Sequence, residues 1–402
     1  MKIGKLIRNL LVIALAILIL FIGGAMVVYS PEYVIRTLRW READALDWQK
    51  FPVHPLGPAP EPFLFEEAPD PHVVELFAEI AGTDDWERFL EDNQTQALIV
   101  IRDGMVVYEE YFNGIERGSI VTSFSVAKSF TSALIGIAIA GGHIAGVDDP
   151  ITDYLPELAE RDPRFREITI RNLLRMSSGL DYVEFRPLLF NSDDILTTYH
   201  PDQRAITLEK IHIIDPPGEY FLYNKYHPQL LGMILERTTG MTVTEFLQTR
   251  IWDPLGMEYP GSWSIDSEAG DFEKMETGVN ARAIDFAKFG ALFLNGGSWD
   301  GREVIPQSWV DESTGPWLPE NDVGYYPEWF GSIPGEGYYS YMWWGAERPG
   351  GGHDFWAAGN LGQYIYVSPG NNLVVVRTGF DYGIPSSEWQ RIFYEFAGIY
   401  KK

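Results

Sequence analysis

Ser125 and Lys128 stand three residues apart in Ser125-Val-Ala-Lys128, at the head of an apolar run that continues to Ala140. On a helix this spacing puts hydroxyl and amine on one face, about one turn apart. A serine hydroxyl is a weak nucleophile, and an amine kept neutral by burial can take its proton. The positive end of the helix dipole then favours the oxyanion formed by attack on a carbonyl. The tetrapeptide alone does not establish this chemistry. With twenty serines in the chain, about one Ser-x-x-Lys is expected by chance, so the surrounding elements have to decide.

The run after Ser125 is apolar on all sides, which predicts a buried helix ending at Gly141-Gly142. Upstream, 73–92 reads as helical. Two β-prone runs, Gln96 to Ile101 and Met105 to Tyr111, flank Asp103-Gly104 and predict a hairpin. Glu109 and Glu110 point to an exposed face on that hairpin. Residues 145–290 read mostly as helices. From Tyr338 onward aromatic strands return (Tyr338 to Trp344, Gln363 to Val367, Leu373 to Arg377), and Ser386 to Tyr400 closes the chain as a helix. Strands at both ends with helices between them predict an α+β fold: an antiparallel sheet flanked by helices, carrying an inserted all-helical lobe. The cleft between the lobes is the expected site.

The chain has 402 residues, and one core rarely organises that length, so two lobes are expected. It contains no cysteine, which excludes disulfides, thiolate catalysis and cysteine-ligated zinc. Its seven histidines form no His-Glu-x-x-His spacing, and no metal or organic cofactor is expected. A formal net charge of −26 argues against a nucleic-acid partner. It also disfavours strongly anionic substrates. Gly350-Gly-Gly-His-Asp354 lacks the Lys-Ser/Thr ending of a phosphate loop and reads as a turn.

The first nine residues carry Lys2, Lys5 and Arg8, and Leu10 to Tyr29 then runs without a charge. Twenty apolar residues at helical rise span a bilayer core, whereas a cleaved signal has a shorter apolar region. The expected organisation is a basic terminus (1–9), a transmembrane signal anchor (10–29), a linker or arm (30–72) and a catalytic domain (73–402) with its helical lobe at about 145–290. Arg36, Arg39 and Arg41 follow the span and nearly balance the cations before it. An extracytoplasmic domain is therefore expected on functional grounds rather than on charge.

The chain resembles the class C β-lactamase and D-alanyl-D-alanine-peptidase-like serine hydrolases from about residue 93 to 400. Collinear blocks carry the resemblance: Ser125 to Lys128, Val147 to Leu158, Ile168 to Leu180, Pro217 to Gly232, Ala281 to Gly290 and Gly359 to Gln363. The resemblance implies Ser125 as nucleophile and Lys128 with Tyr223 as proton acceptor and donor. It implies an oxyanion hole from the backbone N–H groups of Ser125 and Gln363. In the second motif, Tyr-x-Asn, Lys225 stands where the family has Asn, with Asn224 beside it. The third motif, Lys/His-Thr-Gly, falls on Asn360-Leu361-Gly362, without the cation and hydroxyl that grip a substrate carboxylate. The Gly-x-x-Gly-Gln form is most similar to the 6-aminohexanoate-dimer hydrolase and esterase branch.

The resemblance thus implies hydrolysis of a small neutral or amine-bearing ester or amide through a Ser125 acyl-enzyme. Asn224, Lys225, Trp343, Asn360, Leu361 and Gly362 are the expected substrate contacts. The competing readings are a cell-wall D,D-peptidase or penicillin-interacting protein, and a non-catalytic penicillin-binding-like domain on the membrane surface.

Overall fold

The computed structural model describes residues 2–186, 190–317, 333 and 335–400. Its centre is an eight-stranded sheet in the spatial order Gly337–Ser340, Trp343–Glu347, His353–Gly359, Gln363–Ser368, Leu373–Gly379, Thr95–Arg102, Met105–Tyr111 and Glu66–Glu67. All neighbours are antiparallel except the last pair. The first hairpin closes as its sequence dictates: Arg102 faces Met105, with Asp103 and Gly104 at φ +50° and +77°. Positive φ at both turn positions matches the right-handed twist of the flanking strands.

Leu373–Gly379 lies inside the sheet and is buried along its whole length. The helix Ala283–Leu294 lies across it. The two surfaces meet at Gly290, where a Cβ would stand 2.7 Å from both Ile365 and Val374. The apolar helix Val126–Ala140 is buried from Val126 to Ala138 and packs on His353–Gly359 and Gln363–Ser368. Ser386–Ile399 sits against His72–Ala81, with Phe396 stacked on Phe77 at 3.8 Å.

Several elements differ from their sequence expectation. Residues 73–92 form two helices, His72–Ala81 and Trp86–Asp92, because Gly82 turns left-handed at φ +69°. Tyr338 to Trp344 is a hairpin rather than one strand, since Tyr341 and Met342 both take positive φ. The helical insertion ends near Trp252, not 290. A four-stranded sheet of Val53–Leu56, Gly261–Ser264, Val279–Ala281 and Val121–Thr122 follows it, and Ala283–Leu294 belongs to the main sheet.

The segment expected as a linker is docked on the fold. A helix, α1 (Lys2–Tyr29), is by length and composition long and apolar enough to cross a membrane. A second, α2 (Pro31–Trp40), follows after Ser30, which caps it with Pro31 at its first turn. Tyr33 and Val34 are fully buried, the Tyr33 hydroxyl donates to Phe190 O at 3.1 Å, and Arg36 donates to Asp266 O at 2.6 Å. Farther on, Val53–Leu56 pairs with Gly261–Ser264.

The contact at Gly290 leaves no room for a methyl group. Gly290→Ala should lower the stability of the folded domain by about 1–3 kcal/mol through overpacking. Thermal and urea melts would read this as a lower midpoint, and an unchanged midpoint would contradict the close approach.

Candidate active site

Val121–Thr122 leads into the site as an edge strand, and the Ser123 N–H donates to Val279 O at 2.9 Å. Phe124 then takes φ +45°, costly for a bulky residue, and turns the chain sharply so that Ser125 opens the buried helix. Lys128 lies one turn farther on, its Nζ 2.8 Å from Ser125 Oγ and 3.0 Å from Glu276 O. Burial lowers the Lys128 amine to about 7, and the nearby Lys225 charge pushes the same way. Glu276 and Asp194 pull it partly back.

Tyr223 stands just before the helix Tyr226–Thr239. Its ring lies 4.9 Å from Lys128 Nζ and stacks on Trp344 at 5.8 Å. Its hydroxyl hydrogen-bonds Ser125, and burial pushes the phenol above its ordinary value. The structure thus brings Ser125, Lys128 and Tyr223 into one contact group.

Lys225 forms an ion pair with Asp194, itself reached by the Tyr182 hydroxyl at 3.3 Å. Burial alone would lower the Lys225 ammonium, but Asp194 outweighs it and the ammonium is held above its ordinary value. Lys274 ties this region together by donating to Thr198 O at 2.7 Å and Glu276 Oε1 at 3.0 Å.

The turn between His353–Gly359 and Gln363–Ser368 forms the opposite wall. A Cβ on Gly359 would fall 2.3 Å from Ser123 O, so only glycine lets the turn close on the loop that leads into Ser125. The turn is held from behind by Arg377, fully buried, which donates to Gly362 O at 2.7 Å, Asn93 O at 2.9 Å and Asp381 O at 3.1 Å.

The cleft has a volume of about 660 Å³ and is lined by Ser125, Tyr223, Lys225 and the stretch Ala358 to Leu361, among others. Not every expected contact reaches it. Gln363 is buried behind the turn, paired with Gly359, and its side chain bonds Gly379 through both amide atoms, at 2.7 and 3.2 Å. Gly362 sits against Arg377. Asn224 is fully buried, and its amide serves the backbone at Leu180, Asp181 and Tyr226. Trp343 packs among Phe289, Phe293 and Phe355 in the core, whereas Trp344 backs Tyr223.

The structure adds residues that sequence reasoning missed. Arg41, Glu42 and Asp47 reach the cleft from the N-terminal arm, with Glu184, Asp194 and Asp381 from the domain. The lining carries five carboxylates against Arg41 and Lys225, so its field is acidic. The signals were weak but present: Ser30-Pro31 is a helix-start pair, and Arg377 is a lone charge in an apolar strand.

Comparison with known proteins fits this geometry. The beta-lactamase family model matches residues 86–378. The chain belongs to the beta-lactamase family. It is 28% identical over 319 residues to the 6-aminohexanoate-dimer hydrolase of Paenarthrobacter ureafaciens, covering 76% of this chain and 77% of the relative. It is 26% identical over 314 residues to penicillin-binding protein 4 of Amycolatopsis lactamdurans, covering 71% and 78%. A solved structure from Bacillus anthracis, provisionally assigned as a 6-aminohexanoate-dimer hydrolase, superposes with a TM-score of 0.73 at 25% identity, covering 89% of this chain and 92% of that one. A class C beta-lactamase shares the fold at TM-score 0.61 and 15% identity, covering 82% and 97%. The protein is a serine hydrolase of this family, with the β-lactamase/transpeptidase-like fold.

If neutral Lys128 accepts the Ser125 proton, kcat/KM should rise with pH through about 7, as that amine deprotonates. Lys225→Met removes a like charge and should move this limb to higher pH. A pH–rate profile with any turned-over ester checks both, and an unmoved limb would separate Lys225 from Lys128.

Proposed function

We propose that this chain is a membrane-anchored esterase or amidase that cleaves a small neutral or amine-bearing substrate through a Ser125 acyl-enzyme. The observation that carries the reading is the contact of Ser125 Oγ with a buried amine lowered to about 7. An amine neutral at working pH can take a hydroxyl proton, whereas an ordinary lysine cannot.

In this mechanism Ser125 attacks the carbonyl as Lys128 accepts its proton. The Ser125 N–H, at the head of the helix, donates to the oxyanion. For the second donor the geometry favours the N–H of Asn360 over that of Gln363. Asn360 follows the glycine that abuts Ser123 and lines the cleft, while Gln363 lies behind. Each such donor is worth about 3–4 kcal/mol in comparable sites. Tyr223 hands the proton to the leaving group and then activates water for deacylation.

Substrate class follows from the lining. Arg41 and Lys225 are its two cations, and Lys225 is tied to Asp194. A free substrate carboxylate therefore meets a mostly acidic wall, which supports neutral or amine-bearing substrates over D-Ala-D-Ala peptides. The apolar helix at the N-terminus supports an anchor, and the domain is placed outside the cytoplasm on functional grounds alone.

A fluorophosphonate probe, read by intact mass on the full chain in detergent, should add one adduct that Ser125→Ala abolishes. Tyr223→Phe should lower kcat on p-nitrophenyl acetate by about 10²–10⁴. An unlabelled, folded wild-type chain would overturn the hydrolase mechanism and leave a binding domain. Gly359→Ala should also lower kcat sharply, because its methyl group drives the turn off Ser123 O. Retained kcat in that variant would argue against Asn360 as a donor.

A further inference from the structure

The wall of the cleft and the surface that receives α1 are the same piece of structure. Tyr199 and Ile195 line the cleft and also belong to the small apolar cluster that holds Ala25, Tyr33 and Phe190, with Ile22, Met26 and Tyr29 packed on it. The Phe21 ring lies 5.9 Å from Phe190, and the Tyr29 hydroxyl donates to Asn191 Oδ1 at 3.1 Å. The last turns of α1 are therefore seated on the catalytic domain, not separated from it by a tether.

Depth follows from the helix rise. Phe21 precedes Tyr29 by eight residues, about 12 Å along the axis. A span from Leu10 to Tyr29 has the length of a bilayer core, so Phe21 lies inside the apolar layer. Phe190, in contact with it, is thereby brought to the apolar layer. Phe185 is five residues from Phe190, a reach of at most about 18 Å. It lines the cleft and is 82% exposed, a large apolar side chain held out at the mouth. Ile35 and Leu38, one turn apart on α2, are also exposed, and α2 leads directly into Arg41 and Glu42 of the cleft wall.

Resting on the membrane-anchored hydrolase reading above, we infer that the cleft opens onto the bilayer surface and takes an amphiphilic ester or amide, with its carbonyl at headgroup level and its acyl chain in the leaflet. The occupant of the apolar rim is the lipid surface, because the rim is continuous with the spanning helix. The acidic lining selects neutral or amine-bearing headgroups over anionic ones.

The chain has no cysteine, so Phe185→Cys supplies a unique site for an environment-sensitive dye. Gly370→Cys supplies a control, at the end of the sheet remote from the cleft turn, where a side chain meets open space. With the full chain in nanodiscs of phosphatidylcholine, lipids brominated on their acyl chains should quench the dye at 185 and leave it bright at 370. Equal response at both positions overturns the orientation.

A second arm measures rates. A flexible Gly/Ser insert of about ten residues after Tyr29 keeps the anchor but frees the domain. It should lower the ratio of p-nitrophenyl laurate to p-nitrophenyl acetate cleavage by about tenfold. An unchanged ratio overturns the substrate class. Failure of the underlying reading has its own signatures. A chain that does not enter nanodiscs refutes the anchor, and a chain that cleaves neither ester and takes no fluorophosphonate refutes the hydrolase. The inference falls with either.

Discussion

Burial of the Lys128 amine is the constraint around which the site is built, and the fold lowers that amine to about 7 by keeping water from it. The side chain is 1% exposed, the Tyr223 ring covers it, and Glu276 O takes one of its hydrogens at 3.0 Å. That carbonyl is fixed because the Glu276 side chain is itself buried and held by Gln229 at 2.6 Å and Lys274 at 3.0 Å. A buried cation costs far more than a buried neutral amine, so each layer of packing around the helix that Ser125 opens shifts the balance toward the neutral form. Lys225 adds a like charge nearby, but its own charge is compensated by Asp194. Lys225 is therefore held above the ordinary lysine value and Lys128 below it, a separation set by which of the two has a carboxylate partner.

Local signals were legible in the sequence, and register was not. Ser125 and Lys128 could be paired because helical spacing alone brings them together, and Asp103-Gly104 specified its turn from two residues. Trp343 and Trp344 could not be separated. Neighbours on a strand point to opposite faces, and only the sheet's position tells which face is core. Asn224 and Lys225 posed the same difficulty at the head of a helix, where the amide turned to the backbone and the ammonium to the cleft. The turn before Gln363 contains Leu361 at φ +62°, and the cleft-facing stretch is Ala358–Leu361. A left-handed leucine leaves no compositional trace.

The N-terminal arm shows how composition can mislead about domain limits. Its prolines and acidic residues suggest a spacer, yet Phe51 and Leu56 are buried, and Val53–Leu56 extends the smaller sheet. A spacer and a strap have similar composition; what separates them is whether a few apolar side chains find a surface. Here Tyr33, Val34 and Phe51 do. The arm from Tyr33 to Leu56 is accordingly packed on the fold, and a chain lacking it would lose Arg41, Glu42 and Asp47 from the cleft wall.

Among the described residues, Arg377 makes no hydrogen bond to a carboxylate at the turn it braces. Three of its four bonds there run to main-chain carbonyls, the fourth going to Thr95 Oγ1 at 3.1 Å. Every residue carries a carbonyl, so the brace is indifferent to which side chains occupy positions 360 and 361. Those two positions look into the cleft. Mutational drift there can change what the enzyme recognises while the turn stays where it is, which makes this corner a natural place for new substrate preferences to evolve.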